Sequence, residues 1–459
     1  MKKILVFVDS DVVIRHFIKS KTFDEIESKY QVVYVFNKDD TSQKKSTYYD
    51  LNQLGLGSIR FTKIPRKRFG NWYMLFAATV LRQQKNSENF TARRRQLVDV
   101  LGGRNVRILE ILGLPFIFLV FEYIYKKFMG VEQSVSSLID EESPDAIIHP
   151  TLLNGYYINE LLMYCGSKKF MPLILLMNSW DNPSAKAVCT GWPSRLVVWG
   201  PQSKKQAMEY MRLPNSVIEV FGAAQFQIYR DPPQEEEEKL RCEFSVPPRK
   251  KIVLYAGSGS GSYETRYLKL LEAYIEDGLL GDTHVIYRPH PWRGGLAEGE
   301  KDFHSMRWKN ISMDPSMDDY YRKEVKDSEN SVFMVDYKIS NRLLSLVDGV
   351  ISPLSTMLVE ALIKGKPVLA FFPERHHGVH FGIDEVHFAD FLKLPDVNVC
   401  LEEGGFLSAC QKLLEQTSDD SLSLRLKHHA SHFVDMELPC YGQRLELLID
   451  RVTSSNPSD

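Results

Sequence analysis

The run Val347-Asp-Gly-Val-Ile-Ser-Pro-Leu-Ser-Thr-Met-Leu-Val-Glu-Ala-Leu-Ile-Lys-Gly-Lys-Pro-Val-Leu-Ala370 holds two apolar segments with a helical pattern between them. Gly349–Ile351 reads as a strand, Ser352–Thr356 as a hydroxyl-rich turn and Met357–Ile363 as a short helix. Gly365 stops that helix, and Val368–Phe372 reads as the next strand. A strand that returns through a helix to another strand makes a parallel βαβ unit, with apolar side chains on both faces of the sheet.

The same alternation extends in both directions. Ile252–Tyr255, Thr283–Tyr287 and Ser331–Met334 are further apolar, β-branched runs of the second half. In the first half Lys3–Val8, Gln31–Phe36, Ala146–Ile148, Leu173–Met177, Arg195–Trp199 and Val217–Phe221 do the same. A Pro- and Glu-rich stretch, Asp231-Pro-Pro-Gln-Glu-Glu-Glu-Glu-Lys239, followed by Pro247-Pro-Arg-Lys-Lys251, marks a boundary. The expected fold class is α/β, with two tandem doubly wound Rossmann-like domains and a cleft between them. The expected division is 1–230, a linker over 231–250, 251–425, and a C-terminal helix with a disordered tail over 426–459.

At 459 residues, 44% apolar and 25% charged, the chain can bury two substantial cores, and composition excludes a disordered, collagen-like or disulfide-rich protein. The net charge of −2 hides an asymmetry. Residues 1–230 carry 31 Lys/Arg against 21 Asp/Glu, and the remainder carries 26 against 38. An anionic partner is therefore expected for the first domain. The six cysteines are scattered without zinc spacing, which points to reduced thiols and a cytosolic compartment. The apolar start, Lys3–Val8, is broken by Asp9 and Asp11 before it reaches signal-peptide length, so a buried first strand is expected.

Residues 60–107 hold twelve Lys/Arg and two acidic residues, interleaved with Phe61, Phe69, Trp72, Tyr73, Phe76 and Phe90. The apolar core that follows, Ile111–Phe121, is too short to span a bilayer. A buried helix of the domain and an interfacial segment over 60–128 on an anionic membrane are both open readings. No recognition motif accompanies the charge, so nucleic acid is not expected as a partner.

Three loops of the second half suit a phosphate. Ser352, Ser355 and Thr356 lie where a helix begins and presents free N–H groups. Glu360, one turn further, could accept hydrogen bonds from a ribose diol, although helix capping by Ser352 or Ser355 explains the turn equally well. Tyr287-Arg-Pro-His-Pro291 closes a strand, so Arg288 and His290 emerge where open α/β sheets bind ligands. Gly257 and Ser258 open a small-residue loop, Tyr255–Ser262, that lets backbone approach a diphosphate.

The Arg-x-His-Pro element at 288–291, followed by Ser-Pro-x-Ser-Thr-x-x-x-Glu-Ala-x-x-x-Gly-Lys-Pro-Val over 352–368, resembles the donor domain of GT-B-fold glycosyltransferases. Within these it is closest to bacterial surface-polysaccharide transferases. CDP-glycerol glycerophosphotransferases and the His-Pro-motif Kdo- and sialyltransferases are similar. The resemblance covers about residues 250–372 and implies that Arg288, His290, Pro291, Ser355, Thr356 and Glu360 hold a nucleotide. In the first half it rests on architecture and on Asn178-Ser-Trp-Asp-Asn182, a segment recurring in surface-carbohydrate proteins.

The function so implied is transfer of a sugar from a nucleotide-activated donor to a saccharide or lipid-linked acceptor in surface-polysaccharide biosynthesis. The expected location is the cytoplasm, with attachment to the inner face of the plasma membrane if 60–128 is the interfacial segment. No metal or other cofactor is expected. Asp9-Ser-Asp11 is not the Asp-x-Asp metal motif, which belongs to another transferase fold. The His376, His377, His380 and His387 group with Asp384 reads as a loop rather than a metal site. Glycerophosphate transfer, nucleotide-sugar 2-epimerisation and a non-catalytic membrane-docked module are the alternatives. A catalytic base is expected on a strand-end loop of the first domain. Asp181 ranks first, because Trp180 beside it could desolvate the carboxylate. His149 is second, and Asp9 third, with Asp11 on the same loop.

Overall fold

The computed structural model describes residues 1–38, 51–168, 171–257, 264–290, 303–318, 335–372 and 385–454. Two compact units form, 1–227 with 433–459, and 228–432. The C-terminal residues therefore do not follow the second domain as an appendage. Helix Tyr441–Ser454 buries Tyr441, Leu445, Leu448 and Ile449 in the core of the first unit. Residues 231–250, read as a linker, belong to the second unit, where helix Glu237–Glu243 buries Leu240 and is followed by buried Phe244 and Val246. Residues 455–459 lie outside the described residues.

Among the described residues the first unit has a seven-stranded parallel sheet of β1 (Lys3–Val8), β2 (Gln31–Asn37), β3 (Ile59–Thr62), β4 (Ala146–Thr151), β5 (Leu173–Met177), β6 (Arg195–Val198) and β7 (Ile218–Val220). Their order is β3-β2-β1-β4-β5-β6-β7. Alternation along β1 sends Leu5 and Phe7 into one core and Ile4, Val6 and Val8 into the other. The strand is thus buried on both faces, and its continuous apolar run has a physical cause.

The second unit has a six-stranded parallel sheet of β8 (Lys251–Ala256), β9 (Thr283–Arg288), β10 (Ile311–Met313), β11 (Gly349–Pro353), β12 (Val368–Phe371) and β13 (Asn398–Cys400). The order is β10-β9-β8-β11-β12-β13. Both units are doubly wound, as expected from the sequence. The order reverses between β1 and β4 in one and between β8 and β11 in the other, and such switch points open crevices at the strands' carboxyl ends. The edge strands β3, β10 and β13 have three or four residues, too few to show a period in the sequence. The expected strand Ser331–Met334 lies outside the described residues.

Between β3 and β4 the chain forms helices Arg66–Gln84, Phe90–Leu101, Gly103–Leu112 and Pro115–Met129. They share a core of Trp72, Leu75, Val106, Leu109, Phe118 and Met129. Much of the basic and aromatic segment is internal. Arg68 and Trp72 both donate to the fully buried Glu160 (2.6 and 2.9 Å), which also accepts the Glu132 N–H at 2.7 Å. Arg93 is buried, and burial lowers it to about 10.

Candidate functional site

In the second unit the chain leaves β8 at Gly257, whose N–H donates to the Arg288 carbonyl at the end of β9 (2.8 Å). A Cβ on Gly257 would lie 2.4 Å from Glu264 Oε2, the oxygen that accepts the Tyr287 hydroxyl at 2.7 Å. Only glycine lets the carboxylate approach the turn so closely. Ser258 and Pro291 lie outside the described residues.

Arg288 is buried at the carboxyl end of β9 and is already partly committed. Its Nε donates to Asp314 Oδ2 and its Nη1 to Ser340 Oγ at 3.0 Å. Asp314 is itself fully buried and accepts from the N–H (2.9 Å) and hydroxyl (2.7 Å) of Ser316. Two of the five guanidinium N–H donors are thereby engaged. Nη2 is buried and has no hydrogen-bond partner among the described residues. His290 follows two residues later, partly exposed.

At the end of β11, Ser352 is fully buried and donates to the Ala256 carbonyl at 2.9 Å, tying β11 to β8. Its single hydroxyl hydrogen is used there, so in the 2.8 Å contact between the two hydroxyls Ser355 is the donor and Ser352 the acceptor. Ser355 is the residue before helix Thr356–Ile363 and makes no side-chain capping bond. The first-turn N–H groups of that helix, at Thr356 and Met357, therefore have neither a helical acceptor nor a Ser355 cap. Glu360 is buried and accepts the Tyr229 hydroxyl. Tyr229 escaped the sequence reading, its only signal being an aromatic ahead of the Asp231-Pro-Pro run. Lys364 also went unread. Its ammonium donates to Asn341 Oδ1 at 2.9 Å, and burial, with Lys366 and Lys427 nearby, lowers it to about 8.

In the first unit the switch point gathers a second group. His149, on β4, is fully buried, and its Nδ1 contacts the Phe7 carbonyl of β1 at 2.9 Å. A carbonyl only accepts, so Nδ1 carries the proton and Nε2 offers a lone pair. That Nε2 is buried without a hydrogen-bond partner among the described residues, 3.8 Å from Asp9 Oδ2. Burial lowers His149 to about 4 and raises the Asp9 carboxyl to about 7. The approach of the 152–156 loop depends on Gly155, where a Cβ would meet Asp9 Oδ2 at 2.1 Å. At the end of β5, Asn178 Oδ1 pairs with buried His16 Nδ1, while Asn178 Nδ2 has no partner among the described residues. Burial lowers His16 to about 3. His16 and Asn178 were not expected as a pair, because 162 residues separate them.

Asp181 stands elsewhere. It precedes the four-residue helix Asn182–Ala185, and its Oδ1 accepts the Ser179 hydroxyl. The carboxylate is partly exposed, and Arg93 and Lys186 lie within electrostatic reach. The Trp180 ring packs edge-on against Phe433, 5.5 Å between centroids. Asp11 begins the short helix Asp11–Val13. Of the histidine group only His387 is described, its ring tilted 43° to that of Phe388 with 4.4 Å between centroids, and no cluster of metal-ligating side chains occurs among the described residues.

The chain matches solved structures over its whole length. A glycosyltransferase from Rickettsia africae aligns with a TM-score of 0.52 at 12% identity, covering 99% of each chain. A putative UDP-N-acetylglucosamine 2-epimerase from Listeria monocytogenes aligns at 0.52 and 10% identity over 100% of this chain and 98% of that one. S. aureus MnaA, solved with UDP, aligns at 0.51 and 10% identity over all of both chains. The sequence matches no protein-family model and no curated protein. The likeness is one of fold: two parallel-sheeted α/β units of the GT-B type.

Proposed function

We propose that the protein transfers a sugar from a nucleotide-activated donor to a hydroxyl of a saccharide or lipid-linked acceptor, without a metal ion. The observation that carries this reading is the chemistry gathered at the two switch points. The second unit offers Arg288 Nη2, His290 and the first-turn N–H groups at Thr356 and Met357, all suited to a phosphate. The first offers Asp9, a carboxyl poised near neutral pH beside the lone pair of His149. That is the condition under which a general base works best. In the reaction Asp9 takes the acceptor hydroxyl proton as its oxygen bonds to the anomeric carbon. The bond from that carbon to the donor phosphate breaks, and the nucleotide leaves with the bonding electron pair as charge on its phosphate. His149 and Asn178 Nδ2 position the acceptor.

Asp9 thus stands ahead of Asp181 in this reading, because a buried, raised carboxyl at the switch point suits proton abstraction better than a partly exposed one that accepts the Ser179 hydroxyl. Epimerisation at the sugar is the second reading, favoured by the Asp9–His149 pair of titratable groups facing one point. It would release product with no acceptor present. Calorimetry with UDP and CDP tests the donor site. Binding is expected to survive chelator, and His290→Ala is expected to raise Kd about 10- to 150-fold, the worth of one charge-assisted hydrogen bond. Affinity that is unchanged in His290→Ala, or abolished by chelator, overturns the reading.

A further inference from the structure

Helix Pro115–Met129 is apolar on two sides. Its inner side places Phe118 and Met129 in the core with Trp72 and Leu75, and the Arg82 guanidinium lies 4.6 Å from the Phe118 ring centre. Its outer side exposes Phe116, Leu119, Val120, Tyr123, Ile124 and Phe128, with Phe116 at 86% and Phe128 at 84%. Their spacing of three and four residues draws one stripe along the helix. Ile108 and Ile111 of helix Gly103–Leu112, with Leu114 at the turn, are also exposed. Soluble proteins rarely leave a contiguous apolar face of this kind to water.

The charges around the stripe are of one sign. Both acidic residues of the two helices are neutralised within the module, Glu110 by Arg94 at 2.6 Å and Glu122 by Lys126 at 2.5 Å. Arg104, Arg107 and Lys127 remain exposed on the same helices, with Arg66 and Lys67 at the start of helix Arg66–Gln84. Among the described residues no single helix is long and apolar enough to cross a membrane. The helices have 10 and 15 residues, about 15 and 22 Å against a hydrocarbon core of about 30 Å. They meet at 101°.

We propose that this face seats on an anionic lipid bilayer. Helix Pro115–Met129 lies in the interfacial plane with Phe116, Tyr123 and Phe128 below the headgroups, while Arg104, Arg107 and Lys127 meet lipid phosphates. The sharing of work differs from the sequence reading. The aromatics that insert come from 116–128, whereas Trp72 and Phe76 are core. A second copy of the chain is the weaker occupant, because a self-paired face would set these cations against one another. The proposal is independent of the transfer reaction, since lipid binding needs no nucleotide.

Flotation of the full chain on phosphatidylcholine vesicles, with and without phosphatidylglycerol, tests it. Binding is expected only with the anionic lipid and is expected to fall as salt rises. Phe116→Ser and Phe128→Ser are each expected to lower partitioning about tenfold, and Arg104→Gln or Arg107→Gln about fivefold. Thermal unfolding without vesicles should be unchanged in all four, because the side chains are exposed. Three results would overturn the proposal: no binding to anionic vesicles, equal binding by the phenylalanine variants, or a dimer that those variants abolish in the absence of any lipid binding.

Discussion

Replacing Asp9 with asparagine keeps the size of the side chain and removes its titration. Burial raises this carboxyl from 3.8 to about 7. Between those values the folded chain holds a proton that the unfolded chain has released, so stability is present in full below pH 3.8 and is lost as pH rises toward 7. At 1.36 kcal/mol per unit of pKa, the loss reaches about 4 kcal/mol above pH 7. Asparagine carries no such cost. The stability of Asp9→Asn relative to the natural chain should therefore grow by about 1.4 kcal/mol per pH unit from pH 4 and level off above pH 7. His16 and His149, whose protonation is suppressed by burial, lose stability as pH falls below 6.5, but in both proteins, so they cancel in the difference. Urea or thermal unfolding of the two chains from pH 4.5 to about 8.5 reads it directly. Turnover should meanwhile fall by about 10²–10⁴, the usual worth of a positioned base. A stability difference that is flat with pH, or a variant less stable than the natural chain at pH 8, would refute the reasoning. Near-normal turnover with Asp181→Asn inactive would return the role to Asp181.

Two further substitutions probe the second unit. Asp314→Ala strands the Arg288 guanidinium in the interior and should cost about 3–5 kcal/mol, whereas Arg288→Met with Asp314→Leu should recover most of the loss in a melting experiment; a cost under about 1 kcal/mol would mean that water reaches the pair. Gly257→Ala would drive a Cβ to 2.4 Å from Glu264 Oε2 and should destabilise by about 1–3 kcal/mol. Adding Glu264→Ala should relieve part of that strain in urea unfolding.

The parallel α/β character of both units was legible in the sequence because strands buried on both faces must be apolar without interruption. Val6 and Ile351 could not be polar in any register. Turns were legible too, since Gly257, Pro353 and Gly365 punctuate the chain by local sterics. Local pattern also singled out Arg288, Ser352, Ser355 and Glu360, because they stand at strand ends and a helix start, where open α/β sheets bind ligands. What those side chains do was not legible. Arg288 spends two of its donors on Asp314 and Ser340, 26 and 52 residues away, and Glu360 receives Tyr229 from 131 residues away. Nor could the sequence show that the Asp9 carboxyl is buried and raised while Asp181 stays partly exposed. A pKa depends on how much water the folded chain removes and on which atoms then face the carboxyl. Those atoms, His149 and the Gly155 loop, come from strands that only the sheet order brings beside β1. The return of helix Tyr441–Ser454 to the first core and the bareness of the 116–128 stripe belong to tertiary structure for the same reason. Amphipathic pattern says that an apolar side exists, and only the packing of the whole chain decides whether the chain itself covers it.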